Sequence, residues 1–358
     1  MPTALLTVAG VVPDDLDDQV ARERRPRADY REIARRLNAE LIDQSAASER
    51  SGVIGRVLRR VAGPDALVAA ACWRRRKDVD IVFTDSERVG FPYAVFCALL
   101  RRRPTHVMIA HRLSGRWKQR AHRWLRLQRR IDHVLVYASS QRQVALDLGY
   151  RPDQITVTPF MVDTAFWDPQ RITSRPTPRP VVAAVGQELR DYPTLVEAAR
   201  GMELDVTIAA ASPWSRRADS SAGLDLPDNV TVVALDLFDL RQLYADASIV
   251  AVPVVETDFQ AGITSILEGM SMARPLICTK TSGQTDTVVD GHTGLYVAPG
   301  DAAGLRGALQ RLVDHPDEAD RMAADGRAWV GANADIEVYA ARLAEIARRV
   351  DADRRARR

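Results

Sequence analysis

Short apolar runs alternate with stretches of helical period along almost the whole chain. That alternation predicts parallel sheets with helices on both faces. In the first half, strands are expected at 4–9, 39–42, 80–84, 105–110, 133–137 and 155–158. Between them, Val53, Ile54, Val57, Leu58 and Val61 share one helical face, and 91–100 reads as a buried helix. The alternation restarts in the second half. Strands are expected at 181–185, 205–210, 230–234, 249–253 and 276–279, with helices near 192–200, 239–247 and 261–273. The chain closes on a helical pattern through Ile336, Tyr339, Leu343, Ala347 and Val350.

A single core rarely serves 358 residues, so two domains are expected. The break is expected at 169–180 (PQRITSRPTPRP), whose four prolines suit neither helix nor central strand. This assigns 1–168 to a first domain and 181–334 to a second. Residues 335–358 form a terminal helix expected to cross back to the first domain. Two doubly wound domains in tandem leave a cleft, and ligands of such sheets bind at the carboxyl ends of the strands.

Composition narrows the class. Apolar residues make up 46% and charged residues 27%, as in an ordinary globular protein. A net charge of +3 gives no field for nucleic acid. The basic residues are almost all arginine, which with abundant Ala and Asp suggests a GC-rich bacterial source. Cys72, Cys97 and Cys278 are scattered through apolar stretches and read as buried free thiols. The amino terminus has no signal-peptide pattern, and no run is long enough to span a bilayer. A cytoplasmic location is expected. No metal-ligand cluster and no Ser-His-Asp arrangement is readable.

The richest segment is 254–286. A strand and a polar loop lead into Gly262-Ile263-Thr264 at a helix amino terminus, where free N–H groups and the helix dipole suit a diphosphate. Glu268 follows about 9 Å further along the axis at ~1.5 Å per residue. There a carboxylate can take both hydroxyls of a ribose, or it can be a solvated helix residue. Gln260 lies on the other side of the phosphate position, within reach of a sugar.

The run QAGITSILEGMSMARPLI, followed by TSGQTDTVVDGHTGLYVAPGD, resembles the donor-site motif of retaining GT-B glycosyltransferases of the family 4 type. The resemblance implies a GT-B-like α/β fold of two Rossmann-type domains and transfer of a sugar from a nucleotide-diphosphate donor with retention of configuration. No cofactor or metal is implied. Glu268 matches the acid that holds the ribose, Pro275 the motif's proline, and Gly283 one of its glycine pair. Asp286 stands where an acid usually follows, and Gly291, Thr293 and Gly294 match a D-G-x-T-G loop. One departure is clear: Gln260 stands where the family carries an acid facing the donor sugar, with Asp258 and Glu256 nearby. The run VVAAVGQELRDYPTLVEAA resembles the family's diphosphate loop, with Gly186 matching, Gln187 in place of Arg, and Arg190 as counterpart to the Lys. Arg190 is either that phosphate ligand or a surface arginine before an Asp191-capped helix. Residues 211–214 (ASPW), Leu235 and Asp236 are candidates for the base pocket.

In the first half, the strand THVMIAH ends at His111, where the family often has a histidine near donor sugar and acceptor. The glycine-rich loop usual after the first strand is reduced to AGVVPDD, and 155–169 resembles the family's closing hinge. The stretch 115–130 (GRWKQRAHRWLRLQRR) is basic and amphipathic. It suits either contact with anionic lipid at the inner membrane face or a surface helix that packs its tryptophans on the first domain. The implied partners are a nucleotide-sugar donor and a small-molecule, glycan or lipid-linked acceptor. An epimerase of the same fold and a non-catalytic nucleotide-sugar-binding protein are the rival readings.

Overall fold

The computed structural model describes residues 3–98, 100, 102–210 and 225–357. The chain divides into two compact units: Met1–Asp18, Arg27–Thr158 and Glu337–Arg358 form unit 1, and Gln19–Pro26 with Pro159–Ile336 form unit 2.

Unit 1 contains β1 (Ala4–Thr7), β2 (Ala39–Ile42), β3 (Ile81–Thr84), β4 (Thr105–Ala110), β5 (His133–Val136) and β6 (Ile155–Val157) in one sheet of order β2-β1-β3-β4-β5-β6. Every pairing is parallel, as in Ile81 opposite Thr105 and Val107 opposite His133. The helices are α1 (Leu16–Ala21), α2 (Asp29–Leu37), α3 (Gln44–Arg74), α4 (Glu87–Phe96), α5 (Arg116–Leu125) and α6 (Ser139–Asp147). Strands buried on both faces need continuous apolar runs, and β1, β3, β4 and β5 are buried at every position.

Unit 2 repeats the plan. Its strands β7 (Val181–Val185), β8 (Asp205–Ala209), β9 (Val230–Val233), β10 (Ile249–Val252), β11 (Leu276–Thr279) and β12 (Leu295–Val297) run parallel in the order β12-β11-β10-β7-β8-β9. Helices α7 (Tyr192–Ala199), α8 (Leu237–Asp246), α9 (Ile263–Ser271), α10 (Ala302–Asp314) and α11 (Pro316–Asn333) accompany them. The last helix, α12 (Ile336–Ala356), runs on into unit 1. There it buries Tyr339, Leu343 and Ala347 and joins the Tyr339 and Tyr137 hydroxyls at 2.7 Å.

Several elements differ from the pattern-based expectation. The change of unit comes at Thr158–Pro159, ahead of the proline-rich segment, because Val162, Phe166 and Trp167 are buried in the unit 2 core beside Tyr244. β12 was not anticipated; a three-residue edge strand leaves little periodicity to read. Val57 and Val61 form part of α3 but are 58% and 81% exposed. The three cysteines are buried free thiols.

Candidate functional site

In unit 2, the turns after β7 and β10 meet. Asp191 N–H bonds Pro253 O and Val255 N–H bonds Leu189 O, so residues 186–191 are pinned against the segment leading to α9. Asp191 then caps α7, accepting from Thr194 N and Oγ1. Tyr192 donates to the Gly186 carbonyl.

This pinning traps Arg190. Its guanidinium donates to Val185 O (2.8 Å), Glu188 O (3.0 Å) and Ser265 Oγ (3.0 Å) and is only 7% exposed. It lies against two glycines. A Cβ on Gly186 would come within 2.3 Å of Nη2, and one on Gly262 within 3.3 Å of Nη1 and 2.7 Å of Val252. Gly262 also has φ +82, a left-handed conformation that suits glycine as the cap of α9. The structure therefore brings Gly186, Arg190, Gly262, Ile263 and Thr264 together. Ile263 and Thr264 open α9, whose first-turn amides have no partner within the helix. Among the described residues, no carboxylate lies within ion-pair distance of Arg190. Burial lowers its pKa below the ordinary arginine value. Arg190 is thus not a surface arginine.

Glu268 sits on the second turn of α9 and is 6% exposed. It is not a solvated helix residue: Tyr244, fully buried on α8, donates its hydroxyl to Oε2 at 3.0 Å. Burial pushes the Glu268 carboxyl up to about 8, while the Tyr244 bond and the Arg190 charge pull the other way. At neutral pH it therefore carries a proton much of the time and can both donate and accept.

A second group of polar atoms lies on the loops after β10 and β11. Gly283 N–H bonds Thr257 O, and a Cβ on Gly283 would meet the Phe259 backbone at 2.3 Å, so the two loops are in direct contact. Gln260 donates to Thr287 Oγ1 at 3.4 Å. Its Oε1, Thr281 Oγ1 and both amide atoms of Gln284 are buried without a partner. Unsatisfied buried polar groups are uncommon and call for an explanation. Gln284 and Thr281 were not singled out from the sequence, where they read as loop residues. Tyr244 was hidden in an apolar helical stripe. Asp290 and Thr293 shape the turn into β12 by bonding Tyr296 N and Val289 N. Of the base-pocket candidates, 211–214 lie outside the described residues. Asp236 caps α8 and pairs with Arg24 at 2.8 Å.

In unit 1, His111 follows the carboxyl end of β4 and is exposed. Its Nε2 lies 3.0 Å from Asp85 O and its ring lies on Tyr137. Glu87 accepts from His111 N at 3.0 Å and from Lys118 Nζ at 2.6 Å. Asp85 accepts from Thr7 Oγ1 and Ala9 N, and burial pushes it up to about 6. Asp85 and Glu87 were missed in the sequence. Their signal was the polar run DSE directly after the strand IVFT.

Residues 181–315 match the family model of group 1 glycosyl transferases. The chain carries a group 1 glycosyl transferase domain and has the GT-B fold. It is 25% identical to an MMP alpha-(1->4)-mannosyltransferase of Mycolicibacterium hassiacum over 76% of this chain and 73% of the relative. It is 29% identical to a D-inositol 3-phosphate glycosyltransferase of Stackebrandtia nassauensis over 54% and 48% respectively. A glycosyltransferase structure from Rickettsia africae superposes at a TM-score of 0.71 with 17% identity, covering 97% of this chain and 98% of that one. Anabaena HepE, solved with UDP and glucose, superposes at 0.67 with 15% identity, covering 96% and 99%. In this glycosyltransferase the matched domain holds the Arg190 and Glu268 constellation, while His111 belongs to unit 1.

The segment 115–130 forms α5 and a short 3-10 turn. The enzyme does not pack its tryptophans on unit 1: Trp117 is 72% and Trp124 83% exposed, and the helix is anchored by buried His122 instead. Among the described residues, no helix is long and apolar enough to cross a membrane.

Proposed function

We propose that the enzyme takes a nucleotide-diphosphate sugar as donor and transfers the sugar to an acceptor hydroxyl with retention of configuration. Arg190 carries this reading. A buried cation without a carboxylate partner is costly, and a diphosphate at Gly186 and the α9 amino terminus would neutralise it. Charge developing on the leaving diphosphate is then met by Arg190 and the amides of Ile263 and Thr264, an electrostatic stabilisation that requires no metal. Glu268 holds the ribose hydroxyls. Gln260 through its unpartnered Oε1, Thr281 through Oγ1 and Gln284 through both amide atoms take the hydroxyls of the sugar. The relative solved with UDP and glucose supports this class of donor. Replacing Glu268 by Ala is expected to weaken nucleotide binding by roughly 1.5–3 kcal/mol. Calorimetry showing unchanged affinity in the folded variant would remove Glu268 from the ribose site.

Within unit 1, His111, whose Nε2 lies 3.0 Å from Asp85 O, is the group we assign to the acceptor. In the transfer step, the bond from the anomeric carbon to the diphosphate oxygen breaks while the acceptor oxygen bonds the same face. The acceptor proton passes to a diphosphate oxygen. Gln260, a neutral amide, cannot act as a carboxylate nucleophile, which favours this leaving-group-assisted route. The anomeric coupling in the NMR spectrum of the product tests it: an inverted anomer rules it out.

The exposed face of α5 places Trp117 and Trp124 seven residues apart, two turns of helix, with Arg116, Arg120 and Arg123 beside them. That combination suits the interface of an anionic membrane, consistent with a peripheral position at the inner face of a bacterial membrane. Trp117→Ser with Trp124→Ser is expected to reduce binding to phosphatidylglycerol vesicles about tenfold or more. Equal sedimentation of variant and parent with those vesicles would refute the contact.

A further inference from the structure

Described residues of unit 1 line an open cavity of about 560 Å³ at the amino-terminal ends of β3 and β4. This is the edge of the sheet opposite His111, which follows the carboxyl end of β4. Its floor is built from arginines held in place by carboxylates. Arg103 makes a two-pronged contact with Asp132 at 2.6 and 3.1 Å, and Arg354 approaches the same carboxylate at 3.3 Å. Arg355, from the end of α12, reaches Asp80 at 2.9 Å and Asp351 at 2.8 Å. Asp351 in turn accepts from Thr105 Oγ1 at 2.7 Å.

The rim differs from the floor. Arg76, Lys77 and Arg102 also line the cavity, and none of them has a carboxylate within ion-pair distance among the described residues. Arg76 is steadied by stacking on Trp73 at 3.9 Å and by donating to its carbonyl. Three cations, of which Lys77 and Arg102 are exposed, therefore line this open hollow without an ion-pair partner among the described residues, beside Asp80 and Asp351, which Arg355 engages. Basic side chains that share one hollow and lack ion-pair partners are the groups that bind a multiply charged anion. The volume lies in the range of small-molecule sites, roughly 300–1,000 Å³.

We propose that this cavity is a second ligand site, separate from the site of transfer, that binds a phosphate- or diphosphate-bearing molecule through Arg76, Lys77 and Arg102. It does not depend on the donor reading above, since it shares no residue with it.

The test uses the full chain and inorganic pyrophosphate as probe. Hydrogen exchange should show added protection at 78–82 and 351–355, independently of any protection near 186–190 and 262–268. Arg76→Ala, Lys77→Ala and Arg102→Ala combined should lower the affinity at that site about tenfold or more while leaving the thermal midpoint close to that of the parent. A parallel arm with phosphatidylglycerol vesicles distinguishes the source. Loss confined to vesicle binding assigns the phosphate to a lipid headgroup, and loss of pyrophosphate protection assigns it to a soluble ligand. No protection at the cavity in the parent by either probe, or equal affinity of parent and triple variant, overturns the proposal.

Discussion

Replacing Arg190 by Gln is expected to lower kcat/KM for sugar transfer by roughly a hundredfold or more, the scale of losing one preorganised charge from a developing oxyanion. The side chain is buried at 7% exposure, lies against both glycines of the proposed phosphate cradle, and has no carboxylate among the described residues to neutralise it. Glutamine retains a donor for Val185 O and Ser265 Oγ, so the local hydrogen bonding survives in part while the charge is lost. Arg190→Lys restores the charge without the planar fork and should fall between parent and Gln variant. The order parent, Lys, Gln in kcat/KM, with thermal midpoints within a few degrees, identifies an electrostatic role. A folded Gln variant within threefold of the parent would make Arg190 a structural brace between β7 and α9 and nothing more.

The alternation of apolar runs and amphipathic stretches made the two parallel sheets legible, and β2, β4, β7 and β11 match the expected bounds. What was not legible rests on contacts distant in sequence. Phe166 and Trp167 look like the end of the first domain until Trp167 is seen edge-on to Tyr244, 77 positions away. Trp117 and Trp124 look like packing residues until buried His122 is found holding α5 instead. The candidate site divides in the same way. The glycines and Glu268 stand in a recognisable run, whereas the trapping of Arg190 depends on the pairing of 189–191 with 253–255. Asp85 gains its raised pKa from burial beside Thr7 and Ala9 of another strand region, which no local spacing shows.

Acidification is expected to unfold unit 1 before unit 2. Unit 1 buries three neutral histidines. His106 bonds Thr84 Oγ1 at 3.1 Å, His122 bonds Tyr150 Oη at 3.0 Å, and His133 bonds Thr156 Oγ1 at 2.8 Å. Burial pulls them down to about 3, 4 and 4, with the nearby charges of Arg103, Arg123 and Arg349 acting in the same sense. An unfolded histidine takes up its proton near pH 6.5, so between 6.5 and these values the unfolded chain binds more protons than the folded one. Stability is therefore lost as pH falls. The loss is roughly 2 kcal/mol per histidine by pH 5, against a whole-domain stability of about 5–15 kcal/mol. Asp85, raised by burial to about 6, acts in the opposite direction, as does Asp29, which burial also raises. Unit 2 responds at the other end. The Glu268 carboxyl, raised to about 8, keeps its proton when an unfolded glutamate has lost it, so its contribution is full at low pH and fades as pH rises toward 8. Between pH 6.5 and 8 that amounts to about 2 kcal/mol, which Glu268→Gln should abolish. Hydrogen exchange across pH 4.5–8 reads both units at once. The amides of β4 and β5 should lose protection first below pH 5.5, while those of β7 and β10 hold. Simultaneous loss in both sheets, or earlier loss in β7 and β10, would show that the buried histidines do not govern the acid limit of this fold.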